Sequence, residues 1–230
     1  MRKTVQLSMI AVFAALHAVL YLLPFGLWRN LAIYIEPIEG MLLGPQIGFS
    51  AALLGSSVSR LLKPDDFWMF GLIAEPISVL IAGLLTRALW KPVLATYSVM
   101  LLAYFAHPFG RALPIWTVID IVIGLFLIYP AAKFSQGFPA KGFKRLSVSL
   151  VLVSFVCVAT DSLVRVFLLV PCGLYGLFFT SFEALQAIFI LGAVSSYIED
   201  LIVVAISFLV GVPLAVAALR MGLLRRNKRG

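Results

Sequence analysis

The sequence predicts an all-α integral membrane protein, a bundle of about six transmembrane helices with both termini in the cytoplasm. The composition, the long charge-free blocks and the placement of Lys and Arg support this fold class. Of the 230 residues, 62% are hydrophobic and only 12% are charged, whereas a soluble domain carries about 25% charged residues. The chain therefore has too few charged side chains to cover a water-exposed globule.

The apolar residues occur in blocks that are long enough to cross a membrane. Four stretches, at 4–28, 40–59, 92–110 and 201–219, contain no Asp, Glu, Lys or Arg, and a helix needs about 20 apolar residues to span the hydrocarbon core. A single transmembrane domain, 1–230, is predicted with spans at about 5–25, 40–61, 67–89, 112–132, 146–171 and 198–219. The segments 92–110 and 175–195 are possible extra or re-entrant segments, and we expect them at the outer surface.

The distribution of basic residues favours six crossings over eight. With six spans, 13 of the 18 Lys and Arg lie on the inside: eight are in the N-terminus and loops, and five are in the C-terminal tail. With eight crossings, the basic stretch 133–145 lies outside, and only ten Lys and Arg lie on the inside. Because cytoplasmic loops are enriched in Lys and Arg, the six-span arrangement in the cell membrane is preferred, and the net charge of +8 reflects topology rather than nucleic-acid binding.

In this topology, most acidic residues lie toward the outer side. Glu36 and Glu39 fall in the first outer loop, and Asp120, Asp161 and Glu199 fall in the outer parts of their spans. Ionisable groups are costly in a bilayer and generally face the bundle interior or a water-filled cavity. The pattern predicts a polar cavity that opens outward.

The candidate residues of this cavity also have structural explanations. Asp161 and Arg165 are four residues apart and could simply neutralise each other on one helix. Glu199 could stabilise the positive end of a helix dipole. Glu75 precedes Pro76, which frees a backbone carbonyl inside a span. The predicted substrate-binding residues are Glu75, Trp116, Asp120, Asp161, Arg165, Tyr197 and Glu199.

Motifs for catalysis are absent from the sequence. It contains neither a phosphate-binding Gly-rich loop ending in Lys-Ser or Lys-Thr nor a His-Glu-x-x-His or Gly-x-Ser-x-Gly motif. His17 and His107 are interpreted as packing or interface residues, and we expect neither a metal nor another cofactor. A binding or transport role is more probable than an enzymatic one. The alternatives are an intramembrane enzyme that acts on lipid through membrane carboxylates, and a structural membrane subunit.

The first span carries small residues along one face. Ala11, Ala14, Ala15 and Ala18 follow the i, i+3, i+4, i+7 spacing, which either packs within the bundle or forms a groove for a partner helix. This segment resembles the Ala-x-x-x-Ala first helix of the substrate-binding S components of energy-coupling factor (ECF) vitamin transporters. The sequence Gly44-Pro45-Gln46-Ile47-Gly48 is similar to the Gly-Pro-x-x-Gly second span of many S components.

The resemblance implies a function for the chain. An S component binds a water-soluble vitamin or related micronutrient in an outward-facing pocket and associates with a transmembrane T component and cytoplasmic ATPase subunits, which hydrolyse the ATP. The Ala face would contact the T component. Trp116 and Tyr197, together with the acidic residues, would suit a cationic aromatic ligand, whereas Arg29, Arg111 and Arg165 would suit a carboxylate.

Overall fold

The computed structural model describes residues 3–23, 29–64, 67–139 and 142–221. In these ranges the chain forms helices and turns, and no residue lies in a β-strand. Five helical segments of the described chain are long and apolar enough to cross a membrane. The predicted all-α class is confirmed. The basic tail after Met221, which the topology prediction used, lies outside the described residues.

The helices of the described chain are joined by short connections. They are α1 (Lys3–Leu22), α2 (Glu36–Leu43), α3 (Pro45–Leu62), α4 (Trp68–Thr86), α5 (Trp90–Ala106), α6 (Pro108–Ala112), α7 (Ile119–Ser135), α8 (Phe143–Leu169), α9 (Tyr175–Phe178) and α10 (Phe182–Arg220). Single 3-10 turns at Leu31–Tyr34 and Ile115–Val118 lead into α2 and α7.

The first two long helices run in the same direction. The Tyr21 hydroxyl, at the end of α1, donates a hydrogen bond to the Lys63 carbonyl just after α3 (3.1 Å). One turn deeper, His17 Nε2 and Ser56 Oγ lie 3.1 Å apart. Because residue numbers rise together along both helices, α1 and α3 are parallel, and the intervening chain must return between them.

The buried helix α2 makes that return. All eight of its residues are buried, and a Cβ on Gly83 of α4 would lie 2.5 Å from the Pro45 nitrogen, so α4 and the α2–α3 junction are in close contact. Gly44, with φ of +79°, ends α2, and Pro45 begins α3 because a helix's first residue needs no N–H partner. The predicted single span at 40–61 therefore begins with a chain reversal.

This reversal corrects the predicted topology. The six-span arrangement placed Arg60 and Lys63 at the same end as the N-terminus. The parallel packing of α1 and α3 puts Lys63 at the opposite end, near Tyr21. The prediction failed because a return segment whose α-helix has only eight residues was read as part of an outer loop.

The segment at 92–110 was expected at the outer surface, and the structure corrects this expectation as well. Most of it forms α5, whose Tyr97 is fully buried and donates a hydrogen bond to the Val156 carbonyl of α8 (3.0 Å). Trp90 packs edge-on against Tyr129 of α7, and Gly124 lies beside Tyr97. Thus one face of α5 packs against the bundle, and α5 runs antiparallel to α7.

The last helix joins two predicted segments. The apolar stretch at 175–195 and the span at 198–219 share α10, which has 39 residues and is about 58 Å long at 1.5 Å per residue. Ser196 of α10 lies beside Ser162 of α8, and Gly211 lies beside Leu150, so the two helices are antiparallel. Since a hydrocarbon core is about 30 Å thick, α10 extends well beyond the length of one span.

The helix directions predict that Lys63 and Lys133 face opposite sides of the membrane. In a background with Cys157→Ser and Cys172→Ser, we expect a membrane-impermeant maleimide to label only one of Lys63→Cys and Lys133→Cys in intact cells. The other should be labelled only after permeabilisation. Both positions are exposed at helix ends. The six-span arrangement expects both on the cytoplasmic side, so equal labelling of the pair would contradict the parallel packing of α1 and α3.

Candidate functional site

A cavity of about 550 Å³ lies between α1, α3, α4, α7, α8 and the first half of α10. Its lining changes from polar to apolar along the helices, since on α10 it passes from Glu199 to Phe189 and on α8 from Ser162 to Leu169. The charged lining residues are Arg29, Arg60, Lys63, Asp120, Arg165 and Glu199; the Phe residues are Phe67, Phe70, Phe179 and Phe189. The cavity thus has a polar inner end and an aromatic outer part.

Arg29 ties α8 and α10 together at the polar end. Its backbone N–H donates to Glu199 Oε1 (2.9 Å), and its guanidinium donates to Asp200 Oδ1 (3.2 Å). The same guanidinium donates to Ser162 Oγ (2.6 Å) and Ser196 Oγ (2.7 Å), and its Nε lies 3.5 Å from Asp161 Oδ2. One side chain therefore neutralises or hydrogen-bonds five groups on two helices.

The surroundings keep Arg29 charged. Burial lowers the pKa of its guanidinium, but the carboxylates of Asp161, Asp200 and Glu199 raise it by more, so that the pKa lies above its usual value. The carboxylates need this charge in return, because an ionised group in an apolar interior is costly unless it is paired.

Glu75 of α4 is the centre of a second group of polar contacts, which joins α4 to α3. Arg60 holds it with both terminal nitrogens, Nη2 at 2.5 Å from Oε1 and Nη1 at 2.9 Å from Oε2, a bidentate geometry that favours an Arg–carboxylate pair. Asn30 Nδ2 also donates to Oε1 (3.0 Å). On the other side, Oε2 lies 3.1 Å from His17 Nε2 and accepts a hydrogen bond from Ser56 Oγ.

Asp161 and Arg165 form the predicted pair within α8. Arg165 Nε donates to Asp161 Oδ2 (2.7 Å), and Arg165 Nη2 lies 3.7 Å from Glu75 Oε1. The Arg165 side chain remains 27% exposed and lines the cavity. The pair is therefore both an intrahelical ion pair and part of the cavity wall.

A further acidic cluster lies behind Glu75. Glu36 and Glu39, predicted in an outer loop, are fully buried on α2, because α2 passes through the centre of the bundle. Glu39 Oε2 lies 3.6 Å from His17 Nδ1, and the Ser78 hydroxyl donates to Glu36 Oε2. His17 is thus placed between carboxylates instead of packing against apolar side chains.

The predicted site residues fall into three groups. Asp120, Arg165 and Glu199 line the cavity, whereas Glu75 and Asp161 lie directly behind it as partners of lining arginines. Trp116 and Tyr197 do not line it. The Tyr197 hydroxyl donates to the Trp116 backbone carbonyl, and the Trp116 side chain is 41% exposed, so the structure does not bring these two residues into this cavity.

Several residues that build the polar end were missed by the sequence predictions. Arg29 was noted only as a possible carboxylate partner, and Arg60 only as a topology marker. The sequence does contain an indication of these arginines. It places several carboxylates in apolar segments, where they need cations as partners, and Arg165 alone could not pair with all of them. The missed residues at this end are Arg29, Asn30, Arg60, Ser162, Ser196 and Asp200.

The alanine face of α1 is divided between the bundle and the surface. Ala18 is buried and Ala14 is half-buried, and a Cβ on Gly55 of α3 would lie 2.9 Å from the Ala14 carbonyl. Ala11 and Ala15 are exposed. Two of the four alanines thus pack within the bundle, and two remain accessible to lipid or a partner.

Comparison with known proteins gives one distant relative. The chain is 28% identical over 131 residues, 56% of its length, to an uncharacterized protein of Methanocaldococcus jannaschii. The matched region covers 44% of that protein, so this chain matches less than half of the relative's length. No family model matches the chain. No solved structure matches it either.

The pairing of Arg29 predicts a large loss of stability on its removal. We expect Arg29→Gln to lower the free energy of unfolding by about 3–5 kcal/mol, because it leaves buried carboxylates without a cation. Thermal unfolding of the purified protein in detergent measures the effect. Arg111→Gln, the same change at an exposed position, is the control and should leave the midpoint nearly unchanged; equal midpoints for the two variants would contradict the role of Arg29.

Proposed function

We propose that this chain is the substrate-binding subunit of a membrane importer of the ECF type and that it binds a small vitamin-like solute in the cavity described above. The observation that carries the proposal is the cavity itself, with fixed charges at its inner end and Phe side chains farther out. Its volume of about 550 Å³ falls within the usual range of ligand sites, about 300–1,000 Å³.

The lining charges favour a solute with an acidic group. Four cations and two carboxylates line the cavity. Arg29 and Arg60 are held by buried acids, whereas Lys63 and part of the Arg165 guanidinium are exposed. A carboxylate or phosphate would bind at these two side chains, and an apolar or aromatic body would pack against the Phe residues. A cationic aromatic ligand is less favoured because Trp116 and Tyr197 lie elsewhere.

The ion pairs favour binding over catalysis. Asp161 is paired with Arg165, and Glu199 with Arg29, so a cation already occupies one side of each carboxylate. Asp120 is the exception, because no Lys or Arg nitrogen in the described part of the chain forms an ion pair with its carboxylate. This carboxylate is the observation that supports the alternative, an intramembrane enzyme that acts on lipid.

The orientation follows from the basic residues. Lys3, Arg87, Lys91, Lys133 and Arg220 all lie at the end of the bundle where α1 begins. Placing this end in the cytoplasm of a cell membrane satisfies the positive-inside rule. Both termini are then cytoplasmic, and the cavity lies toward the outer side, where it receives solute from outside the cell. Ala11 and Ala15 would contact the T component, and the ATPase subunits would bind from the cytoplasmic side.

The proposal predicts a retained solute that depends on Arg165. Native mass spectrometry of the full chain, purified in mild detergent from its native host, should show one bound small molecule with an acidic group. Arg165→Gln should reduce its retention at least tenfold, since a charged contact is lost, and the exposed control Arg111→Gln should retain it. An empty wild-type protein that is also silent in thermal-shift tests against a vitamin panel would contradict solute binding.

Asp120→Asn separates binding from the enzymatic alternative. A binding subunit should still retain solute when the Asp120 carboxylate is replaced by an amide. Lipid that copurifies and is converted during incubation by wild type, but not by Asp120→Asn, would instead support catalysis. Chromatography of extracted lipid before and after incubation measures this.

The proposed partner surface predicts an effect at Ala15. Ala15→Trp should reduce copurification of the T component and ATPase subunits from the native host at least fivefold, because a bulky side chain prevents close helix approach. Leu102→Trp, at a similarly exposed position on α5, is the control. Unchanged copurification with Ala15→Trp would contradict the proposal that α1 contacts the T component. The proposal that the chain binds a solute would not be affected.

A further inference from the structure

A cluster of four ionisable residues lies behind the cavity floor and is not used by the proposed solute site. It consists of His17 on α1, Glu36 and Glu39 on α2, and Glu75 on α4, each at most 1% exposed. Three separate helices therefore direct ligand-type atoms to one point in the bundle. Only Glu75 is shared with the cavity wall, through Arg60 and Asn30.

Several atoms of this cluster lack hydrogen-bond partners. His17 Nδ1, Glu36 Oε1 and both carboxylate oxygens of Glu39 are buried and make no hydrogen bond to any described residue. A buried polar atom left unpaired costs about 1–3 kcal/mol, and more when it is charged. His17 Nδ1 and Glu39 Oε2 face each other at 3.6 Å, whereas Glu36 Oε1 and Glu39 Oε1 have no such contact, and a buried cation would satisfy these two oxygens.

The geometry is close to that of a metal site. One ligand atom from each of His17, Glu36 and Glu75 lies within 4.8 Å of the other two, and His17 Nε2 is 3.1 Å from Glu75 Oε2. Two ligands at right angles, each about 2.1 Å from an ion, are about 3.0 Å apart. The pair therefore already has the separation of neighbouring ligands.

Glu39 stands where a supporting residue of such a site is expected. Its Oε2 lies 3.6 Å from His17 Nδ1, the ring nitrogen that faces away from Glu75. A histidine that ligates a metal commonly donates its other N–H to a carboxylate, which fixes the tautomer and the ring orientation. A small shift would complete that hydrogen bond and leave Nε2 to bind the ion.

The charges of the cluster also favour a cation. Glu36, Glu39 and Glu75 are three acidic side chains, and among the described residues Arg60 is the guanidinium hydrogen-bonded to them, at Glu75. Arg165 is 3.7 Å from Glu75 but is hydrogen-bonded to Asp161. Uncompensated negative charge in an apolar interior is strongly unfavourable, and a divalent cation would balance it.

We propose that His17, Glu36 and Glu75 bind one divalent transition-metal ion, with Glu39 as the positioning residue for His17. A set of one imidazole nitrogen and carboxylate oxygens suits Mn²⁺, Fe²⁺, Co²⁺ or Zn²⁺. The ion joins α1, α2 and α4 below the solute cavity. This site extends beyond the proposed capture function, and it can exist whether or not the chain binds a vitamin.

Metal titration of the full chain tests the site. The protein, purified in detergent, is stripped with a chelator, desalted and titrated with Co²⁺ while its visible absorption is recorded; bound Mn²⁺ is measured separately by elemental analysis after desalting. We expect about one metal per chain. His17→Gln and Glu36→Gln should bind Co²⁺ at least tenfold more weakly, and Glu39→Gln about 10–100-fold more weakly, as for other supporting carboxylates.

Two controls make the result decisive. Glu183→Gln and Arg111→Gln, both at exposed positions, should bind Co²⁺ like the wild type, and thermal unfolding shows which variants are folded. Failure of the wild type to bind either ion would overturn the proposal, whatever the variants do. Unchanged Co²⁺ affinity in both His17→Gln and Glu36→Gln would also overturn it, because the metal would then be bound elsewhere.

Discussion

The pairing of buried charges is the constraint on which the rest of this structure depends. Seven acidic side chains are buried among the described residues, and they are Glu36, Glu39, Glu75, Asp120, Asp161, Glu199 and Asp200. Three arginines reach them from different parts of the chain, each contacting a different set. Since breaking a buried ion pair costs several kcal/mol, the helices that carry these groups can pack in few ways. Arg29, Arg60 of α3 and Arg165 of α8 each form ion pairs with these acids. The ion pairs thereby hold these three parts of the chain in place.

Small residues make this pairing sterically possible. A side chain on Gly71 of α4 would collide with the Arg60 guanidinium, and one on Gly55 of α3 would lie 2.7 Å from His17 Cβ. Glycine at these positions lets α1, α3 and α4 approach until His17, Arg60 and Glu75 are in contact. The Gly- and Ser-rich character of α3 thus serves packing within this bundle, as is common where membrane helices approach closely.

The sequence predicts the helical class and part of the site but not the path of the chain. Charge-free blocks identify helices such as α8 because length and composition suffice for that. Spacing alone also predicts the Asp161–Arg165 pair, since residues four apart share a helix face. The return through α2 escapes prediction because its eight residues are too short for a span, and their burial depends on helices distant in sequence. The positions of Arg29 and Glu36 follow from that return and could not be inferred without it.

Glu75 explains why the two candidate sites lie together. Its Oε1 contacts Arg60 and Asn30 of the cavity lining, and its Oε2 contacts His17 and Ser56. Asparagine or glutamine at this position could not balance Arg60, and aspartate, shorter by one methylene, could not reach both sets of partners from the same backbone position. A solute anion at Arg165, whose Nη2 lies 3.7 Å from Glu75 Oε1, would compete with Glu75 for part of that positive charge. Because electrostatic interactions are strong where water is excluded, loss of that cation would increase the affinity of the cluster for a positive ion. The arrangement would thus couple a proposed solute anion in the cavity to the proposed metal ion below it through one carboxylate.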